Sequence, residues 1–182
     1  MEIVFVRHAQ KSKDGLDPSL TTMGIRQAKY LARRLKKEKF SKIYSSDMKR
    51  AIQTSNIIGK SLNLNPEIET SLSEFGMDIL KKNQKDWNSE LKKKYSELKE
   101  FLDRLTRDAN SNKKILIVAH GNTNRVILPT LLELDFKNIV RFGQAETAIN
   151  RVDWLDKFVN WRFKSWNDIN HLPKRFIAKE MW

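Results

Sequence analysis

The sequence has 182 residues, of which 40% are hydrophobic, and it carries a formal net charge of +13 at pH 7. This length suits one globular domain, and the hydrophobic residues fall in clear blocks, which excludes a wholly disordered chain. Cysteine is absent, so disulfides, thiolate metal sites and a cysteine nucleophile are excluded. The positive charge predicts an anionic ligand or partner, such as a phosphorylated metabolite, a phosphoprotein, a nucleic acid or a lipid surface.

Two further features bear on where the protein acts. No apolar run is long enough to cross a bilayer, and the first residues lack the pattern of a secretory signal. The lack of cysteine suits a reducing compartment. We therefore expect a cytoplasmic protein that is neither exported nor inserted into a membrane.

The first half of the chain predicts two strand–helix pairs. Residues 2–7 (EIVFVR) form an apolar run typical of a buried strand. The segment 20–37 begins with a threonine capping signal and then repeats apolar residues at helical spacing. A second short strand is predicted at 41–46 (SKIYSS), followed by a second amphipathic helix at 47–63.

The second half continues the alternation and ends differently. A stripe of apolar residues predicts a long helix over 86–107, and 114–121 (KILIVAHG) reads as a second buried strand. The helix after this strand contains Pro129, which predicts a bend or a break. The segments 147–154 and 157–167 predict a hairpin. Together these elements predict an α/β fold, a three-layer α/β/α sandwich with a mainly parallel sheet, a C-terminal β-hairpin at its edge and a small helical cap.

Polar residues follow three of the predicted strands. Arg7 and His8 end the first strand, residues 45–50 (SSDMKR) follow the second, and His120 ends 114–121. Ligands of parallel α/β sheets bind outside the carboxyl ends of the strands. We therefore expect these clusters to meet at one edge of the sheet. Two of the three histidines in the chain occupy such positions, and the third, His171, lies in the tail.

The types of residue favour an anion at this edge over a metal ion. Neither histidine is accompanied by an HExxH pattern or by clustered carboxylates that would complete a metal site. Arg7 lies beside His8, and Arg50 opens the second predicted helix. Guanidinium groups repel a metal ion and match the oxygens of phosphate. We expect a phosphate site that uses neither a metal nor another cofactor.

Four ordered segments resemble the histidine phosphatase superfamily, which includes the phosphoglycerate mutases. The tail segment NDINHL also resembles a feature of the small phosphatases of this family. The four segments are VRHA (6–9), LTTMGIRQA (20–28), SSDMKRAIQT (45–54) and VAHGN (118–122).

The resemblance implies a role for each matched residue. His8 is expected to attack phosphorus and to carry the phosphoryl group as phosphohistidine. Cationic and hydrogen-bonding groups around it are expected to stabilise the charge on the transferred group. For Arg50 an alternative is a surface ion pair with Asp47, one helical turn earlier. The residues expected to contact the phosphate are Arg7, Arg50, His120, Asn122 and Lys11.

A general acid is needed to protonate the departing oxygen. Glu74 lies in SLSEFG, which resembles the family segment that carries this carboxylate, although the sequence after Gly76 departs from the family pattern. Asp78 and Glu69 are the alternatives.

The sequence also departs from the family pattern in the loop after the first strand. Ala9 stands where the family usually has glycine, Lys11 stands where a small hydroxyl residue is common, and Asp14 lies near the usual place of an amide. These departures leave the identity of the substrate open. Specificity is expected to lie in a cap insertion at about 73–112 within a single domain that spans 1–182.

Length favours hydrolysis over phosphoryl transfer between substrates. The mutases of the family are longer, and their insertions shield the phosphoryl group from water. We therefore expect a phosphomonoester hydrolase, a metal-independent enzyme of the histidine acid phosphatase type, acting on a phosphorylated small molecule or, alternatively, on a phosphoprotein. Phosphoglycerate mutase-type transfer is the alternative reaction.

A function of a different class is a catalytically inactive module that binds RNA or a phosphoprotein through its basic surface. The C-terminal hairpin interleaves tryptophans with cations, a combination that binds single strands by stacking and phosphate contacts. We rank this alternative lower because an inactive relative has little need of both histidines and both arginines. The hairpin residues in question are Trp154, Trp161, Trp166, Arg151, Arg162 and Lys164.

Overall fold

The computed structural model describes residues 1–80 and 84–177. Residues 81–83 of the predicted cap lie outside the described ranges. A six-stranded sheet forms the centre of the molecule, in the order β3-β2-β4-β1-β5-β6. The strands are β1 (Glu2–Arg7), β2 (Lys42–Ser45), β3 (Glu67–Ile68), β4 (Lys114–Ala119), β5 (Ile149–Leu155) and β6 (Asn160–Asp168).

The sheet is mainly parallel, as predicted. The pairs β1–β4, β2–β4 and β2–β3 are parallel, whereas β5 runs antiparallel to β1 and β6 runs antiparallel to β5. The last two strands form the predicted hairpin, and β6 lies at the edge of the sheet.

Four helices surround the sheet at the predicted places. They are α1 (Thr22–Leu35), α2 (Lys49–Leu62), α3 (Ser89–Thr106) and α4 (Gly121–Leu132). No break occurs at Pro129, because the residue lies inside α4 near its end and the helix continues to Leu132. None of the helices within the described ranges is long and apolar enough to cross a membrane.

Alternation along β1 divides the core into two layers. Val4 and Val6 pack in one buried cluster with residues of α1 and α2, such as Leu31. Ile3 and Phe5 belong to the other cluster, which contains residues of α3 and α4. Since successive side chains of a strand point to opposite faces, this pattern places helices on both faces of the sheet and confirms the α/β/α sandwich.

Helix α1 begins against the loop that follows β1. The Thr21 hydroxyl accepts a hydrogen bond from the Gly24 N–H at 2.9 Å and so caps the helix. A Cβ atom at Gly24 would lie 2.1 Å from the carbonyl oxygen of Gln10. The helix therefore approaches this loop, two residues beyond His8, more closely than a side chain allows.

This close approach predicts that Gly24→Ala destabilises the fold. The backbone of Gln10 cannot give way as a side chain could, so we expect a loss of about 1–3 kcal/mol in the free energy of unfolding. Urea denaturation measures it. Gly76→Ala is the matched control, since a Cβ there would meet no atom within 4 Å, and a change within about 0.5 kcal/mol is expected. Equal stability of the two variants would contradict the prediction.

The cations of the hairpin are paired with carboxylates. Arg151 contacts Glu2 and Glu38, and Arg162 contacts Asp153 at 2.8 Å. Lys164 lies 3.6 Å from carboxylate oxygens of two of these acidic residues.

Two of the hairpin tryptophans also have partners within the protein. Trp166 donates to the carbonyl oxygen of Gly143 and packs edge-on against Phe5. Trp154 packs edge-on against Trp161. The residues that favoured a single-stranded nucleic acid thus already serve internal ion pairs and packing.

Candidate active site

The register of the sheet brings the predicted polar clusters together. Arg7 of β1 lies opposite Ala119 of β4, so the residues that follow these two positions, His8 and His120, become neighbours. Their ring centroids are 5.1 Å apart. The N–H of Ser46, just after β2, donates to the carbonyl oxygen of Val118 at 3.0 Å. The predicted meeting of the three clusters at the carboxyl edge is confirmed.

His8 is held as a neutral imidazole with a fixed tautomer. Its ring is 2% exposed, and Nδ1 lies 2.7 Å from the carbonyl oxygen of Ala9. A carbonyl only accepts, so Nδ1 carries the proton and Nε2 carries the lone pair. Burial, then the charge of Arg7, lowers the pKa of His8 well below 6.5. The Nε2 atom is therefore a nucleophile that is not protonated near neutral pH.

Arg50 lies at the start of α2 and faces this nucleophile. Its Nε donates to Nε2 of His8 at 3.2 Å, and its other nitrogens lie 3.6 Å from Asp17 and 4.0 Å from Glu74. The alternative pair with Asp47 does not form, because Asp47 instead accepts a hydrogen bond from a serine hydroxyl. The guanidinium is thus directed into the site.

Arg7 lies on the opposite strand end. Its Nη1 donates to the carbonyl oxygen of Gln144, while its buried Nε has no hydrogen-bond partner among the described residues. A buried donor without a partner is unusual in a folded protein, so this atom is available to a ligand.

His120 is fully buried and is oriented by a serine. Its Nε2 lies 2.8 Å from the hydroxyl of Ser46, and its Nδ1 lies 3.5 Å from Oε2 of Glu74. Burial, then His8 and Arg50, lowers the pKa of His120 well below 6.5. If the hydroxyl donates to Nε2, Nδ1 carries the proton and presents a donor to the site. The sequence gave no indication of this role for Ser46.

Glu74 is the carboxylate that reaches the histidines. Its Oε1 accepts a hydrogen bond from the backbone N–H of Asn122 at 2.9 Å, and the Lys94 ammonium donates to its backbone carbonyl. Burial raises the pKa of Glu74 above its usual value near 4.5, against the opposing effect of the Asn122 N–H. Such a carboxyl group retains its proton at higher pH than a solvated one.

The two alternative carboxylates have other surroundings. Glu69 caps a short 3₁₀ helix by accepting from Ser71 and pairs with Arg104 at 2.9 Å. Asp78 is exposed, and it does not line the pocket described below. Neither contacts the histidines.

A pocket of about 610 Å³ opens over these residues. It includes Lys11, which is exposed at the rim, and Asn122, whose side chain is already engaged because its amide nitrogen donates to the carbonyl oxygen of Phe75. The pocket also includes residues that the sequence analysis missed. The lining residues are Arg7, Lys11, Arg50, Glu74, Phe75, Gly76, Met77, Gly121, Asn122, Arg125, Val140 and Gln144.

One signal in the sequence could have found Arg125. It lies four residues after Gly121, and residues at this spacing share a helix face. Once the start of α4 is placed at the site, Arg125 follows one turn later. No comparable signal marks Gln144, which belongs to an irregular segment.

Ligand atoms of His8, Glu74 and His120 lie within 4.8 Å of one another, a spacing that could hold a metal ion. The same space is bordered by the guanidinium groups of Arg7 and Arg50. Two cations at this distance disfavour a metal ion and favour an anion with several oxygens.

Comparison with known proteins agrees with this chemistry. The model of the histidine phosphatase superfamily (branch 1) matches residues 3–104 and 96–169. The chain belongs to the histidine phosphatase superfamily. It is 26% identical to a probable phosphoglycerate mutase of Proteus mirabilis, over 94% of this chain and 95% of that protein. It is 28% identical to phosphoserine phosphatase 1 of Hydrogenobacter thermophilus, over 79% and 82% of the two chains.

Solved structures of other histidine phosphatases share the fold. Phosphoserine phosphatase of Entamoeba histolytica, crystallised with 3-phosphoglyceric acid, superposes with a TM-score of 0.78 at 21% identity and covers 94% of this chain and 99% of its own. Mycobacterial glucosyl-3-phosphoglycerate phosphatase has a TM-score of 0.72 at 21% identity, over 91% and 98%. These two likenesses confirm the predicted architecture.

Proposed function

We propose that this protein hydrolyses a phosphomonoester through a phosphohistidine on His8, without a metal ion. The observation that carries the proposal is the unprotonated Nε2 of His8, which lies 3.2 Å from Nε of Arg50 in a pocket shared with the buried carboxyl group of Glu74. A nucleophile, a cation for the phosphoryl oxygens and a proton donor are the groups that this reaction needs.

In the first step Nε2 of His8 attacks phosphorus and the bond from phosphorus to the ester oxygen breaks. Glu74 gives its proton to that oxygen, so an alcohol leaves and a carboxylate remains. Arg7, Arg50 and His120 hold the three phosphoryl oxygens, on which charge is spread in the transition state.

In the second step water replaces the alcohol. The Glu74 carboxylate takes a proton from this water as its oxygen attacks phosphorus, and the bond from phosphorus to Nε2 breaks. Inorganic phosphate leaves, His8 is neutral again and Glu74 is protonated again, so the cycle closes.

The relatives carry both phosphatase and mutase names. We favour hydrolysis because the pocket lies open at the Lys11 rim, which lets water reach the phosphohistidine once the alcohol has left. Phosphorylated small molecules are the proposed substrates. Phosphoserine and phosphoglycerate derivatives, which appear in the names of the relatives, are the first to assay.

The direct test is release of phosphate from an aryl phosphate in the presence of a metal chelator. The proposal predicts unchanged turnover after chelation. Loss of activity on chelation, restored by a divalent ion, would instead assign His8, Glu74 and His120 to a metal site. Release of phosphate without water, as transfer to an added alcohol alone, would favour the mutase-type reaction.

The pKa shifts predict the dependence of kcat/KM on pH. The active form has neutral His8 and protonated Glu74. Burial raises the pKa of Glu74, so activity is highest in mildly acidic solution and falls as the pH rises through that pKa. Activity falls on the acid side only as the pH drops through the pKa of His8, which burial and Arg7 hold well below 6.5.

Rates measured from acidic to alkaline pH with an alkyl phosphate check this profile. The Glu74→Gln variant is the control, because it removes the carboxyl group that causes the fall on the alkaline side. An unchanged alkaline fall in this variant would show that another group, or the substrate itself, is responsible.

A further inference from the structure

Arg125 is a buried cation that the proposed reaction does not use. It lies in α4, is 5% exposed and lines the pocket. Its Nε donates to the carbonyl oxygen of Phe142 at 2.7 Å and its Nη1 donates to Oδ1 of Asn122 at 2.9 Å. Within the described ranges, no carboxylate oxygen lies within the 4.0 Å of an ion pair with Arg125 and no acceptor is bonded to its Nη2. A buried charge is costly unless an opposite charge compensates it.

The position of Arg125 assigns it to the leaving-group side of the pocket. Asn122 connects it directly to Glu74, because the Asn122 N–H donates to Glu74 and the Asn122 side chain accepts from Arg125. Glu74 is the group that protonates the departing oxygen in the proposed reaction. The part of the substrate that departs as alcohol therefore lies beside Arg125.

A second donor without an acceptor borders the same pocket. Gln144 is 1% exposed, and its Nε2 is bonded to none of the described residues. Its Oε1 is occupied, since it accepts from the side chain of Asn124 at 2.9 Å. A buried amide N–H group without an acceptor is rare, and it indicates that the acceptor arrives with the ligand.

The remaining lining on this side is apolar and short of acceptors. Phe75, Met77 and Val140 complete the wall. A guanidinium edge and one amide nitrogen offer donors to a planar group with two oxygens, which is the form of a carboxylate. The apolar side chains suit the few carbons that would join this carboxylate to the phosphate ester.

We propose that Arg125, together with Gln144, binds a carboxylate on the leaving group, so that the preferred substrates are phosphate monoesters of small hydroxy acids. This inference rests on the proposed phosphatase reaction and adds the class of alcohol to it.

A pair of substrates tests the inference. In 3-phosphoglycerate and glycerol 3-phosphate the phosphate and the neighbouring hydroxyl are the same, and a carboxylate in the first replaces a hydroxymethyl group in the second. We expect kcat/KM of the wild type to be about 10-fold or more higher for 3-phosphoglycerate. Arg125→Gln should remove about 10-fold to 100-fold of this value, mainly through KM, and change glycerol 3-phosphate by less than about 3-fold.

Two further variants separate recognition from structure. Lys11→Gln removes a cation from the rim of the same pocket, and it should affect both substrates by a similar factor. Gln144→Leu removes the amide donor but retains the backbone carbonyl that holds Arg7, and it should lower the preference for 3-phosphoglycerate. If Arg125→Gln does not fold, Gln144→Leu supplies the same comparison.

The outcomes distinguish this inference from the proposed function. A wild type that hydrolyses an aryl phosphate but does not discriminate between the two substrates would overturn the inference alone. Equal losses for both substrates in the Arg125 and Gln144 variants would also overturn it. A wild type that hydrolyses none of the three phosphates would overturn the proposed function and the inference together.

Discussion

The His8→Ala variant is expected to lose phosphatase activity by about 10⁴-fold or more in kcat, because it lacks the atom that bonds to phosphorus. His120 cannot take over this role, since its Nε2 is engaged with Ser46 and its ring is fixed within the buried site. Water could still attack a bound phosphate, but only without the covalent intermediate. The measurement is phosphate release from an aryl phosphate under saturating conditions.

The third histidine provides the matched control for this variant. His171 is half-buried, lies 3.1 Å from the Thr147 hydroxyl and does not line the pocket. His171→Gln is expected to retain the wild-type rate within a few-fold. Both variants must give the circular dichroism spectrum of the folded wild type. A folded His8→Ala protein with substantial turnover would contradict the assignment of the nucleophile.

The Glu74→Gln variant is expected to lose about 10²-fold to 10⁴-fold in kcat with an alkyl phosphate. Glutamine can still accept from the Asn122 N–H, so the loop should keep its position, but it has no acidic proton to donate. An aryl phosphate with an acidic phenol needs little help at the first step, because its leaving group departs as a stable anion. For that substrate the second step, which needs a base for water, should become rate-limiting.

Rapid mixing separates these two steps. With the aryl phosphate, Glu74→Gln should release a burst of phenol equal to the enzyme concentration, followed by slow turnover. Glu69→Gln and Asp78→Asn are the controls, since neither side chain contacts the histidines, and both should behave like the wild type. A burst or a large loss in either control, with normal rates in Glu74→Gln, would assign the acid to the wrong carboxylate.

The sheet and its two histidines could be predicted from sequence because their cause is local. A buried strand is marked by its apolar run, and His8 and His120 each follow one directly. Parallel strands then bring such residues to the same edge without further information. The tautomer of His8 is also local, because the carbonyl of the next residue fixes it.

Other parts of the site depend on contacts between distant segments. The spacing of Asp47 and Arg50 predicted an ion pair along α2, but Asp17 and Glu74 are the actual partners because the folded loops place them at the guanidinium. Sequence alone presents Arg125 as one of many helix cations. Only the packing of the segment around Phe142 over α4 buries it and orients it.

The measurement that tests the central claim most directly is isolation of the covalent intermediate. Glu74→Gln, mixed with the aryl phosphate and quenched in alkali during the burst, should carry one phosphoryl group on the peptide that contains His8. The modification should be stable in alkali and lost in acid, as a bond from phosphorus to nitrogen requires. A burst of phenol without a modified peptide, or a phosphoryl group on any other residue, would contradict a phosphohistidine mechanism on His8.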